Sequence, residues 1–283
     1  MSGILGFFAK RFVAGDTFEQ AVDAVRQLND KGITTTLDIL GENVTSESEA
    51  AEKANSYIDV LDGIERTGVD SNVSVKLTQM GLDVSDEFCL KNVSRIFDKA
   101  QEHNNFVRVD MEGSAYTERT LNLVYRWHEK YPNMGTVIQA MLHRSTADIM
   151  ELNQRKIRVR LCKGAYKEPA SVAIQEKSLV NKNYKKLTEL LLSEGNYPAI
   201  ATHDMNMIDH AIDYAQRHDI KPDQFEFQML YGIRRKLQED IIKDGYRMRV
   251  YVPFGTHWFP YYYRRLRERK ENIFFILKNL FKS

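Results

Sequence analysis

The sequence has only two cysteines, no long apolar run and almost no excess of charge, and each of these absences excludes a class of protein. Cys89 and Cys162 are too few and too far apart for a disulfide framework or a zinc site, and they fit a reducing, cytoplasmic location. No stretch reaches the roughly 18 uninterrupted apolar residues that cross a bilayer, so at most peripheral contact with a membrane is expected. A formal net charge of +1 argues against nucleic-acid binding driven by bulk charge.

Motifs for phosphate loops, metal sites and hydrolytic triads are also missing. Neither G-x-G-x-x-G nor G-x-x-x-x-G-K-[ST] occurs, which argues against a doubly wound nucleotide-binding sheet, the main competing fold. No H-E-x-x-H or other clustered His/Cys set predicts a metal, and no nucleophile elbow indicates a Ser/His/Asp enzyme. Because no low-complexity tract or Pro/Gly-rich linker interrupts the chain, residues 1–283 are expected to form one domain.

What the sequence does contain is a regular alternation of short β-rich runs and longer stretches with helical spacing. The eight candidate strands are 33–39, 72–78, 106–111, 135–141, 157–162, 198–203, 225–230 and 247–252. The candidate helices are 16–31, 47–66, 86–103, 117–130, 144–154, 169–194, 206–217, 233–243 and one or two within 258–281. Such alternation predicts parallel strands joined by right-handed crossovers. Eight units in 283 residues favour an α/β fold of the (β/α)₈ TIM-barrel type, with a short N-terminal helix before it.

The strands alternate between apolar and polar residues, although parallel strands buried on both faces are usually apolar throughout. The apolar face is expected to meet the helices and the polar face to line the barrel interior. The predicted interior charges are Lys76, Arg108, Arg158, Arg160, Arg247 and Arg249 against Asp38, Asp110 and Glu226. Six cations against three anions predict an anionic ligand at the mouth. For Arg108, Arg158 and Arg247, an internal network completed by water is the alternative.

Barrel active sites lie at the carboxyl ends of the strands, and polar residues from different strands converge there. Near the C-terminus, adjacent Arg264 and Arg265 are followed by Glu268, which on a helix can pair with one of them. Two arginines suit a carboxylate because their guanidinium groups form paired, charge-assisted hydrogen bonds. The alternative is that this charged run is only a solvated helix face.

The chain resembles the proline dehydrogenase family across almost its whole length, from about residue 13 to residue 280. The segments that carry the resemblance are FVAGDT (12–17), TLDILGE (36–42), VSVKLTQMG (73–81), VRVDMEGS (107–114), VIQAML (137–142), RVRLCKGAY (158–166), ATHD (201–204), EFQMLYGIR (226–234), RVYVPFGTHWFPY (249–261) and RRLRERKENIFF (264–275). Their order along the chain is more specific than any single segment.

The resemblance implies a role for individual residues. Lys76, Arg264 and Arg265 match ligands of the proline carboxylate, and Tyr251 and Leu230 match the walls around the substrate ring. Asp110 and Arg160 match catalytic positions, and Glu42 and Glu268 match residues of a gate. The positions that match FAD contacts are Met111, Gln139, Arg160, Lys163, Gly164, Ala165, Thr202 and His203.

The implied reaction is the FAD-dependent oxidation of L-proline to Δ¹-pyrroline-5-carboxylate, the first step of proline degradation, by hydride transfer to flavin N5. The resemblance also implies a quinone as the next electron acceptor, and the C-terminal NIFFILKNLFK run (272–282) is either a membrane-contacting segment or a helix packed on the barrel. Two other functions stay open. One is a barrel that binds a flavin or an acidic metabolite without catalysis, and the other is a folate-type flavin reductase with a nicotinamide donor.

Overall fold

The computed structural model describes residues 12–41 and 44–257, and these form a closed barrel of eight parallel strands in the order β1 to β8. The strands are β1 (Thr34–Ile39), β2 (Ser71–Val75), β3 (Val107–Val109), β4 (Met134–Gln139), β5 (Arg158–Cys162), β6 (Ala199–Ala201), β7 (Glu226–Leu230) and β8 (Met248–Phe254). β1 pairs with both β2 and β8, which closes the barrel. The predicted (β/α)₈ fold is therefore confirmed.

Among the described residues, one helix precedes β1 and one α-helix follows each of β1 to β7. They are α1 (Phe18–Asn29), α2 (Glu47–Thr67), α3 (Asp86–Glu102), α4 (Ser114–His128), α5 (Ser145–Gln154), α6 (Lys177–Glu194), α7 (Met205–Arg217) and α8 (Arg235–Lys243), with short 3₁₀ turns at Leu77–Met80 and Pro222–Gln224. Thr17, Ser46 and Ser85 each accept a backbone N–H in the first turn of the helix that follows. Each such cap contributes about 1 kcal/mol.

The core lies between the outward faces of the strands and the helices. Val73, Val107, Leu161 and Val250 on these faces are fully buried. Burial of each such side chain contributes roughly 1.5–3 kcal/mol relative to exposure. The predicted phasing is correct for these strands, because polar residues between the apolar ones, such as Ser74, Arg160 and Gln228, meet one another across the barrel interior.

One helix differs from the sequence prediction. The stretch predicted as helical from residue 169 is irregular up to residue 176, and α6 begins only at Lys177. Pro169 lies in this stretch, and residues 172–174 pair instead with residues 141–143: His143 N–H donates to Val172 O at 3.0 Å and Ile174 N–H to Met141 O at 2.8 Å. Backbone groups bonded to a neighbouring loop are not available to a helix. Residues 163–176 therefore form a long loop, named the β5–α6 loop below.

The lower part of the barrel interior holds a buried ion pair and one further buried arginine, whose partners are backbone carbonyls. Arg249 Nε donates to Glu226 Oε1 at 2.9 Å. Arg108 is buried and donates to the carbonyls of Thr136 and Arg158 at 3.2 and 3.0 Å. Burial holds the pKa of Arg108 well below its ordinary value. Gly135 faces this guanidinium, and a Cβ there would lie 2.7 Å from Arg108 Nη1, so glycine leaves the space that the arginine needs.

Candidate active site

A cavity of about 1270 Å³ opens at the carboxyl ends of the strands. Twelve residues that the sequence singled out line it: Lys76, Asp110, Met111, Gln139, Arg160, Lys163, Gly164, Ala165, Thr202, His203, Leu230 and Tyr251. They come from β2–β8 and the loops that follow, so only closure of the barrel brings them together. The remaining four, Glu42, Arg264, Arg265 and Glu268, lie outside the described residues, as does the NIFFILKNLFK run.

Asp110 is the centre of the hydrogen-bond network at the base of this cavity. Its Oδ1 accepts from Ser74 Oγ at 2.6 Å and from Arg160 Nη1 at 2.8 Å. Its Oδ2 accepts from the Tyr251 hydroxyl at 2.8 Å and lies 3.6 Å from Lys76 Nζ. Burial favours the neutral acid, but the attraction of Arg160 and Lys76 and these hydrogen bonds together hold the pKa of Asp110 below its ordinary value. Asp110 is therefore an ionised carboxylate that contacts four neighbouring side chains.

Lys76 is held from two sides. Its Nζ donates to Asp38 Oδ1 at 2.6 Å and to the Tyr251 hydroxyl at 3.2 Å, and its side chain is 13% exposed. Burial lowers the pKa of Lys76, but the nearby carboxylates of Asp38 and Asp110 outweigh burial and raise it above its ordinary value. The ammonium group is therefore charged at neutral pH, with its direction fixed.

The interior charges counted from the sequence divide between the two ends of the barrel. At the base of the cavity, Lys76 and Arg160 face the carboxyl groups of Asp38 and Asp110, so these four residues balance one another. The surplus arginines lie at the opposite end of the barrel.

Two of these lower arginines pack on aromatic rings. Arg158 lies 5.4 Å from the Phe106 ring and 5.3 Å from the Tyr197 ring. Arg247, predicted to line the interior, is exposed and immediately precedes β8. Its guanidinium lies 5.6 Å from the Tyr197 ring, and its Nη1 donates to the Tyr197 hydroxyl at 3.1 Å. Cation–π contacts and backbone carbonyls therefore stabilise the lower arginines, which do not need an anionic ligand at the mouth.

Arg160 offers a free donor at the base of the cavity. Its Nε donates to Gln228 and its Nη1 to Asp110, and it is 6% exposed. Its Nη2 is buried and has no hydrogen-bond partner among residues 12–41 and 44–257. A buried donor of this kind costs about 1–3 kcal/mol unless a partner arrives. The site is therefore suited to a ligand that carries an acceptor.

On another wall of the cavity, the backbone at Gly164 is packed against the Met141 side chain. Gly164 has a φ of +104°, which L side chains rarely adopt, and a Cβ there would lie 2.4 Å from Met141 Sδ. Its neighbour Lys163 pairs with Asp204 at 2.8 Å. Burial opposes ionisation, but this hydrogen bond holds the pKa of Asp204 below its ordinary value. The amide of Gln139 donates to the carbonyl of Glu112 at 2.8 Å.

Thr202 and His203 follow β6 and connect to their neighbours. Thr202 Oγ1 accepts the N–H of Asp204 at 3.1 Å, and Asp204 is the N-cap residue of α7. His203 Nε2 accepts the N–H of Leu230 at 3.0 Å. This bond ties β6 to β7 at the rim and places the proton of a neutral imidazole on Nδ1.

Several partners of the site residues were not selected from the sequence. They are Ser74 and Gln228, which contact Asp110 and Arg160, Asp204, which pairs with Lys163, and Glu112, whose carboxylate accepts from Thr78 Oγ1 at 2.6 Å. Strand phasing placed Ser74 on the polar face, and the same argument applied to β7 selects Gln228, two residues after Glu226. No sequence signal identifies Asp204 or Glu112, because their partners come from other loops.

The fold and the site together are typical of a (β/α)₈-barrel enzyme with a charged cavity at the carboxyl ends of its strands. A sequence profile of the family described as Proline dehydrogenase matches residues 21–277. Proline dehydrogenase 1 of Bacillus subtilis (strain 168) is 43% identical over 275 residues, which cover 97% of this chain and 91% of that protein. Proline dehydrogenase of Deinococcus radiodurans is 39% identical over 282 residues, which cover 97% of this chain and 90% of that protein.

The chain therefore belongs to the proline dehydrogenase family. Among solved structures, proline utilization A (PutA) from Bdellovibrio bacteriovorus, inactivated by N-propargylglycine, superposes with a TM-score of 0.86 at 27% identity. The match covers 91% of this chain and 32% of that longer one. These similarities confirm the predicted family and an oxidoreductase of proline catabolism.

The described residues contain neither a membrane-spanning helix nor a cluster of metal ligands. No helix among the described residues is long and apolar enough to cross a membrane. In that same part of the chain, no three His, Cys, Asp or Glu side chains cluster as metal ligands would.

Proposed function

We propose that this chain oxidises L-proline to Δ¹-pyrroline-5-carboxylate with FAD as the bound redox cofactor. The observation that carries the proposal is the convergence of the twelve selected residues on one cavity, in a chain of this family. The volume of about 1270 Å³ exceeds the roughly 300–1,000 Å³ of most small-ligand pockets, as a dinucleotide together with a small substrate requires.

The donor set of the cavity fits FAD. The unpartnered Nη2 of Arg160 is a buried cationic donor, which suits an electron-rich ring that gains negative charge on reduction. Lys163 and His203 suit phosphate or ribose oxygens, and Gly164 permits close approach of a ligand to the backbone. Met111, Gln139, Ala165 and Thr202 line the same cavity and are proposed as further contacts.

When bound, the flavin supplies a two-electron acceptor for the hydride that leaves the ring carbon next to the substrate nitrogen. The chain's own residues orient the substrate. Lys76, held by Asp38 and Tyr251, presents a fixed ammonium group to the proline carboxylate. Because Lys76 and Arg160 are already balanced by Asp38 and Asp110, the remaining positive charge for that carboxylate is proposed to come from Arg264 and Arg265.

Asp110 is proposed to act by holding Lys76, Arg160 and Tyr251 in one arrangement rather than by removing a proton. Its two oxygens are already engaged by Ser74, Arg160 and Tyr251. A carboxylate whose pKa is held low is a weak base. Orientation of this kind supplies much of the rate of an enzyme that brings a substrate and a cofactor together.

The remaining parts of the proposal rest on the family resemblance alone. Leu230 and the Tyr251 ring form walls of the substrate site, Glu42 and Glu268 form a gate with the arginine pair, and a quinone takes electrons from the reduced flavin. If the C-terminal segment contacts a membrane, the protein floats with anionic vesicles in the absence of detergent, and a protein that stays at the bottom of the gradient contradicts that contact.

Anaerobic spectroscopy of the purified protein tests the main proposal. Protein loaded with FAD is expected to be yellow, to bleach on addition of L-proline, and not to bleach with NADH. Bleaching by NADH indicates a nicotinamide-dependent reductase. A flavin-bound protein that neither substrate bleaches indicates a binding module, and a protein that cannot take up FAD contradicts the proposal.

A further inference from the structure

The β5–α6 loop carries more of the cavity wall than any other connection that the structure describes. Nine of its residues line the cavity: Lys163, Gly164, Ala165, Tyr166, Lys167, Glu168, Ala173, Ile174 and Gln175. At residues 163–176 it is also the longest link between a described strand and the helix that follows it. Ordering a loop of this length costs free energy, so the contacts that hold it affect the binding of whatever the cavity takes.

The two ends of the loop are fixed by backbone pairing with residues after β4. Met141 N–H donates to Lys163 O at 2.9 Å at one end, and Ile174 N–H donates to Met141 O at 2.8 Å at the other. The middle of the loop reaches a different part of the barrel. There, the Glu168 carboxylate accepts the backbone N–H of Ser114 at 2.7 Å and also the Ser114 hydroxyl.

Ser114 is the first residue of α4, and the chemistry of that helix start favours an anion. The N-cap residue of α4 is Gly113, which has no side chain to accept the N–H groups of the first turn. Glu168 supplies the missing acceptor from another loop, and its negative charge lies at the positive end of the helix dipole. Both Glu168 and Ser114 are half-buried, so solvent weakens this contact less than it would at the surface.

The contact joins the two halves of the cavity. Ser114 lies four residues after Asp110, whereas Glu168 lies five residues after Lys163. Met111, close before Ser114, and Ala165, close before Glu168, both line the cavity. Fixing Ser114 to Glu168 therefore fixes the substrate side, which β3 carries, relative to the wall formed by residues 163–165.

We propose that Glu168 is a positioning residue that holds the β5–α6 loop in its flavin-binding arrangement by clasping the start of α4. This inference rests on the proposed function, because the ligand at Lys163–Ala165 is taken to be FAD. Without this contact, the loop samples other arrangements. The apparent FAD affinity is then reduced in proportion to the fraction of molecules whose loop is in the binding arrangement. Once FAD saturates the site, turnover is expected to be nearly normal, because Glu168 contacts none of Lys76, Asp110 and Tyr251 in the described structure.

The test is a titration of flavin-free protein with FAD, followed by flavin fluorescence. Glu168→Ala is expected to raise the dissociation constant about tenfold, equivalent to ~1.4 kcal/mol. Glu168→Gln, which keeps an acceptor for the Ser114 N–H but loses the charge, is expected to lie between wild type and Glu168→Ala. The matched control is Glu176→Ala, an exposed glutamate of the same loop that does not line the cavity.

Ser114→Ala removes the partner hydroxyl and completes a double-mutant cycle. It is expected to weaken FAD binding by a smaller factor, and adding it to Glu168→Ala is expected to cause little further loss. Excess FAD should restore kcat and the KM for proline in each variant, which a general loss of folding would not allow.

FAD affinity of Glu168→Ala within twofold of wild type, or equal losses in Glu168→Ala and Glu176→Ala, overturns the clasp. If Glu168→Ala does not fold, Ser114→Ala is the deciding variant. Unchanged FAD affinity in Ser114→Ala overturns the proposed contact. Weaker FAD binding, with turnover restored by excess FAD, supports it. Failure of the wild-type protein to bind FAD contradicts the proposed function itself and is seen before any variant is made.

Discussion

Replacement of Asp110 by asparagine tests the idea that one carboxylate holds the base of the site together. Asparagine has nearly the same shape as aspartate but no charge. Its amide nitrogen, which can only donate, must take the place of one of the two carboxylate oxygens, which both accept hydrogen bonds. In one orientation it faces the donors Ser74 and Arg160, and in the other it faces Tyr251 and Lys76. Either way a buried cation loses its counter-charge.

The expected magnitude follows from these contacts. Removing one partner of a buried, hydrogen-bonded ion pair costs roughly 3–5 kcal/mol, and the retained amide oxygen brings the estimate to about 3 kcal/mol. For a domain of this size, that loss lowers Tm by roughly 6–10 °C. Because Lys76, Arg160 and Tyr251 lose a common anchor, kcat/KM for proline is expected to fall about 100-fold.

The pH dependence has a definite sign. The pKa of Asp110 is lowered in the folded protein, so its contribution to stability is present above the unfolded pKa, about 3.9, and is lost as pH falls through the folded value. The destabilisation of Asp110→Asn relative to wild type is therefore expected to stay constant between pH 7 and about pH 5 and to shrink below about pH 4.

Urea unfolding of flavin-free protein, thermal unfolding and anaerobic proline turnover measure these effects. Asp209→Asn is the matched control, because Asp209 is an exposed aspartate on α7 outside the cavity. Wild-type stability and turnover in Asp110→Asn would refute the anchoring role. Loss of turnover with wild-type stability would instead indicate that Asp110 takes part directly in the reaction.

Four further substitutions or measurements separate the parts of the site. Arg265→Met is expected to raise the KM for proline about 100-fold with flavin content intact, and loss of flavin instead would show that its role is misassigned. Gly164→Ala introduces a side chain at a positive φ and is expected to lower bound flavin at least tenfold, measured by absorbance after gel filtration. Arg249→Met leaves Glu226 buried and unpaired at the far end of the barrel, so it should cost about 3 kcal/mol in urea unfolding, whereas kcat/KM in the folded variant changes less than threefold. Because the pKa of Lys76 is raised, binding of cyclopentanecarboxylate, which has no amine, should not change between pH 6 and pH 9.5, and a binding pKa near 8 would contradict that charge state.

Much of the fold was predictable because it depends on patterns that each segment carries by itself. Alternation along Val73–Val75 and Val107–Val109 defined which face meets the helices, and both faces are as expected. The start of α6 was not predictable, because residues 172–174 pair with the loop after β4, and sequence spacing does not show such a partner.

The sequence predicted twelve residues that line one cavity, but it did not predict how the interior charges pair. Counting charges on polar faces includes neither depth along the barrel nor backbone carbonyls and aromatic rings as partners. Arg108 is stabilised by two carbonyls, and Arg158 by the rings of Phe106 and Tyr197.

By itself, the sequence determined the eight-fold alternation, the phase of each strand and the residue types at the strand ends, because these depend on side-chain periodicity and local order along the chain. Only the tertiary structure decided which charges meet. Asp38, Arg160 and Tyr251 lie in β1, β5 and β8, and Lys76 and Asp110 directly follow β2 and β3. Glu168 contacts Ser114, which is 54 residues away in the chain. Such pairings depend on barrel closure and strand register, which place distant residues within hydrogen-bonding distance.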